Sequence, residues 1–116
     1  MKTAYSIIPP EGEIAIWITD MAEQPGYREL AALIEPLLGD GEPLEHVNVL
    51  HEGKYHDMFV SEFGHMRLTT RGPLPHNPRA TAIYRANWLS QHPEIDPETM
   101  PTIAGTAVLF HRRVWF

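Results

Sequence analysis

Cysteine is absent from this chain of 116 residues. Disulfides, thiolate nucleophiles and zinc–sulfur centres are therefore excluded, and the composition fits a reducing compartment. Long apolar runs are missing too. No stretch reaches the roughly 18 apolar residues that a membrane span needs. The opening MKTAYSIIPPEGE has one lysine and a short apolar run ended by Pro9-Pro10. That run is too short for the apolar centre of a signal peptide. These absences lead to the expectation of a soluble cytoplasmic protein, read as one domain over residues 1–116.

Catalytic signatures are equally scarce. Seven histidines are spread along the chain, but no HExxH occurs and no two histidines have the i, i+4 spacing of a zinc protease helix. Ser6, Ser61 and Ser90 lie in no G-x-S-x-G elbow. GDGEP (39–43) is acidic and opens no helix, so it would repel a phosphate, and the acidic stretch 40–45 lacks the ligand periodicity of a calcium loop. No cofactor and no metal are expected. One metal-dependent alternative is kept: His51, His56 and Asp57 flank a predicted hairpin turn and could converge.

Charge is uneven. Residues 1–66 hold three bases against twelve acids, whereas residues 67–116 hold six arginines against three acids. Arginine suits planar and bidentate contacts. Arg67, Arg71, Arg79, Arg85, Arg112 and Arg113, with Trp115, are thus the residues on which a nucleic-acid-binding alternative rests.

The periodicities that are present predict an α+β fold. TAYSII (3–8) and EIAIWIT (13–19) read as a hairpin across PPEG, with Ile14, Ile16 and Ile18 forming one apolar face. YRELAALIEPLL (27–38) carries an apolar stripe of Tyr27, Leu30, Ala31, Ile34, Leu37 and Leu38. Pro36 is expected to stop or kink this helix near Glu35. EHVNVLH (45–51) and YHDMFVSEF (55–63) predict a second hairpin across EGK, and HMRLTT (65–70) a further strand. Asn77 is a good N-cap and Pro78 fits a first helical turn, so 78–91 is a second helix. TIAGTAVLF (102–110) is a late strand that HRRVWF could extend. The expected architecture is a mostly antiparallel sheet of about five strands with two packed helices.

At 100° per residue, Ala82, Ile83, Ala86 and Leu89 cluster on one side of the second helix, expected to face the core. Thr81, Tyr84, Arg85 and Trp88 lie opposite. Tyr, Trp and Arg dominate contact hot spots. Tyr84, Arg85 and Trp88, supported by Arg112, Arg113 and Trp115, are therefore the expected partner-binding residues. Two other readings stay open: the tail RRVWF or the long loop folds over this face as a second core, or the face joins copies in a homo-oligomer.

GPLPHNPRATAIY, followed by IAGTAVLF, resembles a domain-of-unknown-function family of short proteins carried by phages, plasmids and their hosts, marked by a G-x-P-x-NPRAT motif. The matching positions are Glu52, Gly53 and Lys54 in a turn, then Gly72, Pro73, Asn77, Pro78, Arg79, Ala80 and Thr81. Ile103, Gly105, Ala107 and Val108 match in the last strand. The segment 55–71 and the HRRVWF tail depart from the pattern. The resemblance implies a mobile-element accessory protein in a bacterial cytoplasm, with no established activity. Physically, Asn77 caps, Pro78 starts the helix, and Arg79 reaches a carboxylate or carbonyls that fix the preceding loop. The expected function is non-enzymatic binding of a host- or element-encoded protein partner.

Overall fold

The computed structural model describes residues 1–38, 44–61, 74–100 and 102–116, without the side chain of Pro97. Strands β1 (Lys2–Ile8), β2 (Ala15–Asp20), β3 (Leu44–His51), β4 (Lys54–Ser61) and β5 (Ala107–Phe110) form one antiparallel sheet in the order β2-β1-β5-β4-β3. Among the described residues, helices α1 (Tyr27–Leu38) and α2 (Pro78–Gln91) complete an α+β architecture of five strands and two α-helices. The expected loop 39–43 and strand 65–70, with Arg67, Arg71, Gly72 and Pro73, lie outside the described residues.

Strand alternation sends side chains to two cores. One face carries Tyr5, Phe59, Val108 and Phe110, which pack against Leu30, Ala31, Ile34 and Leu38 of α1. The other carries Ile8, Val49, Met58, Val60, Ala107 and Leu109, which pack with Ala80, Ile83 and Tyr84 of α2. Burying each such large side chain contributes roughly 1.5–3 kcal/mol. Consecutive left-handed residues, Glu52 (φ 52°) and Gly53 (φ 79°), join β3 to β4. Such a two-residue turn matches the twist of the strands it connects.

Three expectations need correction. Helix α1 runs through Pro36 to Leu38 rather than stopping near Glu35. The proline withholds a donor from the Ala32 carbonyl one turn back, but both residues are exposed, so solvent can serve that carbonyl. The last strand covers only Ala107–Phe110, not 102–110, and HRRVWF does not extend it. Gly105 adopts φ +79°, which breaks the extended run, and a Cβ there would meet Leu74 Cδ1 at 2.6 Å. Beyond Phe110, Arg112 donates to the carbonyls of Ala22 and Glu23 and to Thr3 Oγ1, pulling the tail off the ladder.

The third correction concerns α2. Ala82 and Ala86, expected to face the core, are exposed, and Ala80, Thr81 and Asn87 are buried instead. The buried polar residues are held by specific partners. Thr81 Oγ1 accepts from the Ile103 N–H at 2.9 Å, and Asn87 Nδ2 donates to the Asn48 carbonyl at 2.9 Å.

Asn77 is the joint of the fold. Its side-chain oxygen accepts from the Ala80 N–H at 3.0 Å, capping α2, with Pro78 in the first turn. Its amide donates to the Ile8 carbonyl and to the Gly105 carbonyl, both at 2.9 Å. Its backbone N–H donates to Ile103 O at 2.8 Å. Arg79, one helical position beyond Pro78, donates to the Pro9 carbonyl, so it fixes the β1–β2 loop rather than the loop before the helix.

Replacing Asn77 with Ala removes the cap and two buried amide bonds, and should cost about 2–4 kcal/mol by urea denaturation. Asn77→Asp keeps the capping oxygen but sets a carboxylate oxygen against two carbonyl oxygens. It should be no more stable than Asn77→Ala. A stability near wild type would mean that only the cap matters.

Candidate functional site

Neither helix covers the whole sheet. Helix α1 packs over β3, β4 and β5, and α2 lies along β3 on the opposite face. On the α2 side, β2 forms an open shelf with the adjoining ends of β1, β4 and β5, Ser6 and Leu109 lying buried in its floor. Register places Ile16 opposite Ser6 and Ile18 opposite Ala4, and Ser6 opposite Leu109. Alternation therefore brings Ser6, Ile16, Leu109, His56, His51 and His111 to one side. They line a concavity of about 500 Å³ together with Glu52 and Lys54. Ile16 is 66% exposed there, and Ile18, beside it on the same face, is 67% exposed.

The histidines come from three segments. His51 ends β3, His56 lies in β4, and their rings meet edge-on at 6.0 Å. His56 Nδ1 is 2.9 Å from the Phe110 carbonyl. A carbonyl only accepts, so Nδ1 carries the proton of this bond and Nε2 is turned away from it. His111 follows β5 and places Nε2 2.7 Å from Ser6 Oγ. A serine in reach of an imidazole is half of a nucleophilic unit, which also needs an orienting group on the base. Among the described residues, no carboxylate is hydrogen-bonded to His111. The shelf offers an apolar floor with an imidazole, hydroxyl and ammonium rim, a chemistry suited to recognising side chains and main-chain groups.

Asp57 does not join His51 and His56. Adjacent strand residues point to opposite faces, and Asp57 lies on the α1 side. There Oδ1 accepts from His46 Nε2 at 2.7 Å, and Oδ2 accepts from the backbone N–H groups of Val114 and Trp115 at 2.8 and 3.0 Å. Among the described residues, no three His, Asp or Glu side chains are grouped to hold a metal ion. The expected convergence of His51, His56 and Asp57 is thus corrected to two residues, with the third fixing the tail. Burial works against ionisation of Asp57, but the His46 and two amide hydrogen bonds outweigh it and hold its pKa below the ordinary aspartate value.

The expected partner-binding residues divide into two groups on opposite faces of β3. On α2, Tyr84 is partly buried against the core, and its ring meets Trp88 edge-on at 6.4 Å. Trp88 remains 38% exposed and packs on His92 at 5.5 Å. Arg85 turns inward and donates to the Met100 carbonyl at 3.3 Å. Across the sheet, Trp115 stacks on His46 with ring centroids 4.8 Å apart and 7° between planes. Arg113 lies over the Phe116 ring at 4.6 Å and donates to the Trp115 carbonyl. Arg112 is engaged by Thr3, Ala22 and Glu23. Arg79, Arg85, Arg112 and Arg113 each donate to protein carbonyls, so these four do not form a free basic array for phosphates.

Sequence reasoning missed the shelf. One signal was available, since alternation from Lys54 onward sends His56 and Asp57 to opposite faces. His111 and Ser6 lie 105 residues apart and meet only through the pairing of β1 with β5. Searches against protein-family models, curated proteins and solved structures find no match to this chain.

The Asp57 contacts have a pH consequence. A carboxylate with a depressed folded pKa contributes stability that is present above its unfolded value of about 3.9 and is lost as pH falls through the folded value. The Val114 and Trp115 amide resonances should therefore shift together as pH falls, with a midpoint below about 3.9. Asp57→Ala should abolish that transition and cost about 2–3 kcal/mol at neutral pH, because it strands buried donors.

Proposed function

We propose that this protein is a non-enzymatic accessory protein that works by binding a protein partner, with the open shelf as its main contact surface. The resemblance carried by GPLPHNPRATAIY suggests a phage- or plasmid-type role in a bacterial cytoplasm, with a partner encoded by the host or by the element. No described helix is long and apolar enough to cross a membrane. The observation that carries the reading is the exposure of Ile16 and Ile18 on a sheet face rimmed by three imidazoles. Contiguous apolar surface with a polar rim marks interaction sites on folded proteins.

The shelf supports this reading better than the α2 aromatics do. Tyr84 and Arg85 are engaged in internal packing and hydrogen bonding, which leaves Trp88 as the main projection of that group. Trp88 can serve as a secondary anchor on the same side of the sheet. Trp115 and Arg113 are occupied by His46 and Phe116 on the far side.

Pull-downs from a bacterial host lysate should separate the surfaces. A partner captured by wild type should survive nuclease treatment and be lost with Ile16→Asp/His111→Ala. It should be retained, at reduced yield, with Arg85→Ala/Trp88→Ala. Capture that depends on nucleic acid, or that is indifferent to the shelf variant, would overturn the reading.

A further inference from the structure

The two edges of the sheet are finished differently. On β3, α2 runs along the strand and Asn87 donates to the Asn48 carbonyl. On β2, Ile16, Trp17 and Ile18 are 66%, 58% and 67% exposed, and Ile14 just before it is 46% exposed. Natural edge strands are blunted by proline, by lysine or by cover from another element. Residues 14–20, IAIWITD, contain neither proline nor a basic residue, and their one charge, Asp20, is tied to Lys2 at 2.8 Å at the end of the strand.

We infer that two copies of this chain pair antiparallel through β2, about a two-fold axis at Trp17. A two-fold axis perpendicular to the sheet keeps each side chain on its own face, so some residue must lie opposite itself. With Trp17 at the centre, Ile16 faces the partner copy's Ile18 and Ile18 faces its Ile16. On the other face the two indoles meet, flanked by Ala15 opposite Thr19, which leaves room for them. Centring on Ile18 instead would set Ile16 against Asp20, and centring on Ile16 would set Thr19 against Glu13. Within β2 the Trp17 register pairs residues 15–19 with apolar against apolar at 16–18, whereas the Ile16 register pairs only 15–17 and the Ile18 register sets Asp20 against Ile16. Cross-strand aromatic and β-branched pairs of this kind are what stabilises antiparallel sheets.

The consequence is a closed dimer with one ten-stranded sheet. With the β3 edges shielded by α2, pairing stops at two copies rather than running into a fibre. A six-residue strand pair lies at or below the roughly 1,200 Å² of a standard interface, so the dimer is weak and concentration-dependent. Both shelves end on the same side of the joined sheet, with four isoleucines between their histidines. This inference goes beyond the shelf reading; the two share Ile16 and Ile18, but Trp17 projects from the opposite face, so variants there test pairing separately from the shelf.

The absence of cysteine allows a direct test of the register. Opposed residues in an antiparallel pair have Cα atoms about 4.5–5.5 Å apart, within disulfide reach. Under mild oxidation Trp17→Cys should form a covalent dimer, whereas Thr19→Cys alone should not. A mixture of Ala15→Cys and Thr19→Cys should cross-link as a heterodimer. By sedimentation equilibrium the wild type should pass from monomer to dimer with rising concentration. Trp17→Lys sets like charges face to face and should weaken dimerisation about tenfold or more, with an unchanged melting temperature. A monomer at every concentration, cross-linking as efficient at residue 19 as at residue 17, or an undiminished dimer in Trp17→Lys would each overturn the inference. Capture of a shelf partner by both wild type and Trp17→Lys, with no dimer in either, would sink self-pairing and leave the shelf standing.

Discussion

The buried amide of Asn77 is the constraint on which the rest of the structure depends. One side chain uses its oxygen to start α2 and both amide hydrogens to hold the end of β1 and the approach to β5. An amide buried without such partners would be costly, so the three segments must close around it together. The position of the shelf follows. Because α2 must begin at this joint and then lie along β3, it covers Ile8 at the end of β1 but not β2, whose Ile16 and Ile18 stay exposed on that side. The open surface is a by-product of where the helix is anchored.

The sequence is most legible where the physics is local. The cap at Asn77, the proline after it and both hairpins follow from rules that operate within a few residues. The face of α2 was misjudged because two of the positions it buries, Thr81 and Asn87, are polar. A reading that follows apolar residues has no means of seeing that the backbone of Ile103 and Asn48 makes those sites favourable. The alanines that looked like a packing face are simply the solvent side. The path of the tail was hidden for the same reason, since it is set by polar contacts: Arg112 holds Thr3 and the Ala22 and Glu23 carbonyls, and Asp57 takes two amides that a longer β5 would have given to a ladder.

The candidate site was legible only in part. His51 and His56 were recognisable as neighbours across a tight turn, but the side of the sheet they occupy depends on which core α2 builds. Ser6 and His111 belong to opposite ends of the sequence, and only the pairing of β1 with β5 brings them together. Their meeting is a fact of topology that no spacing encodes. The isoleucines of β2 read as one apolar face, and their exposure was hidden for a related reason. Alternation reports which residues share a face and is silent on whether anything covers that face.

The strand order also bears on how the molecule reaches its folded state. Two hairpins, β1–β2 and β3–β4, close over short loops and can form early. Neither joins the other until β5, a strand of only four residues, inserts between β1 and β4. That insertion closes the longest loop in the chain, so its entropic cost falls on a single late event. Until then, β1 and β4 are themselves open edges bearing apolar side chains, and folding competes with pairing between chains. Protein concentration during refolding should therefore govern yield more strongly than the modest size of the molecule suggests.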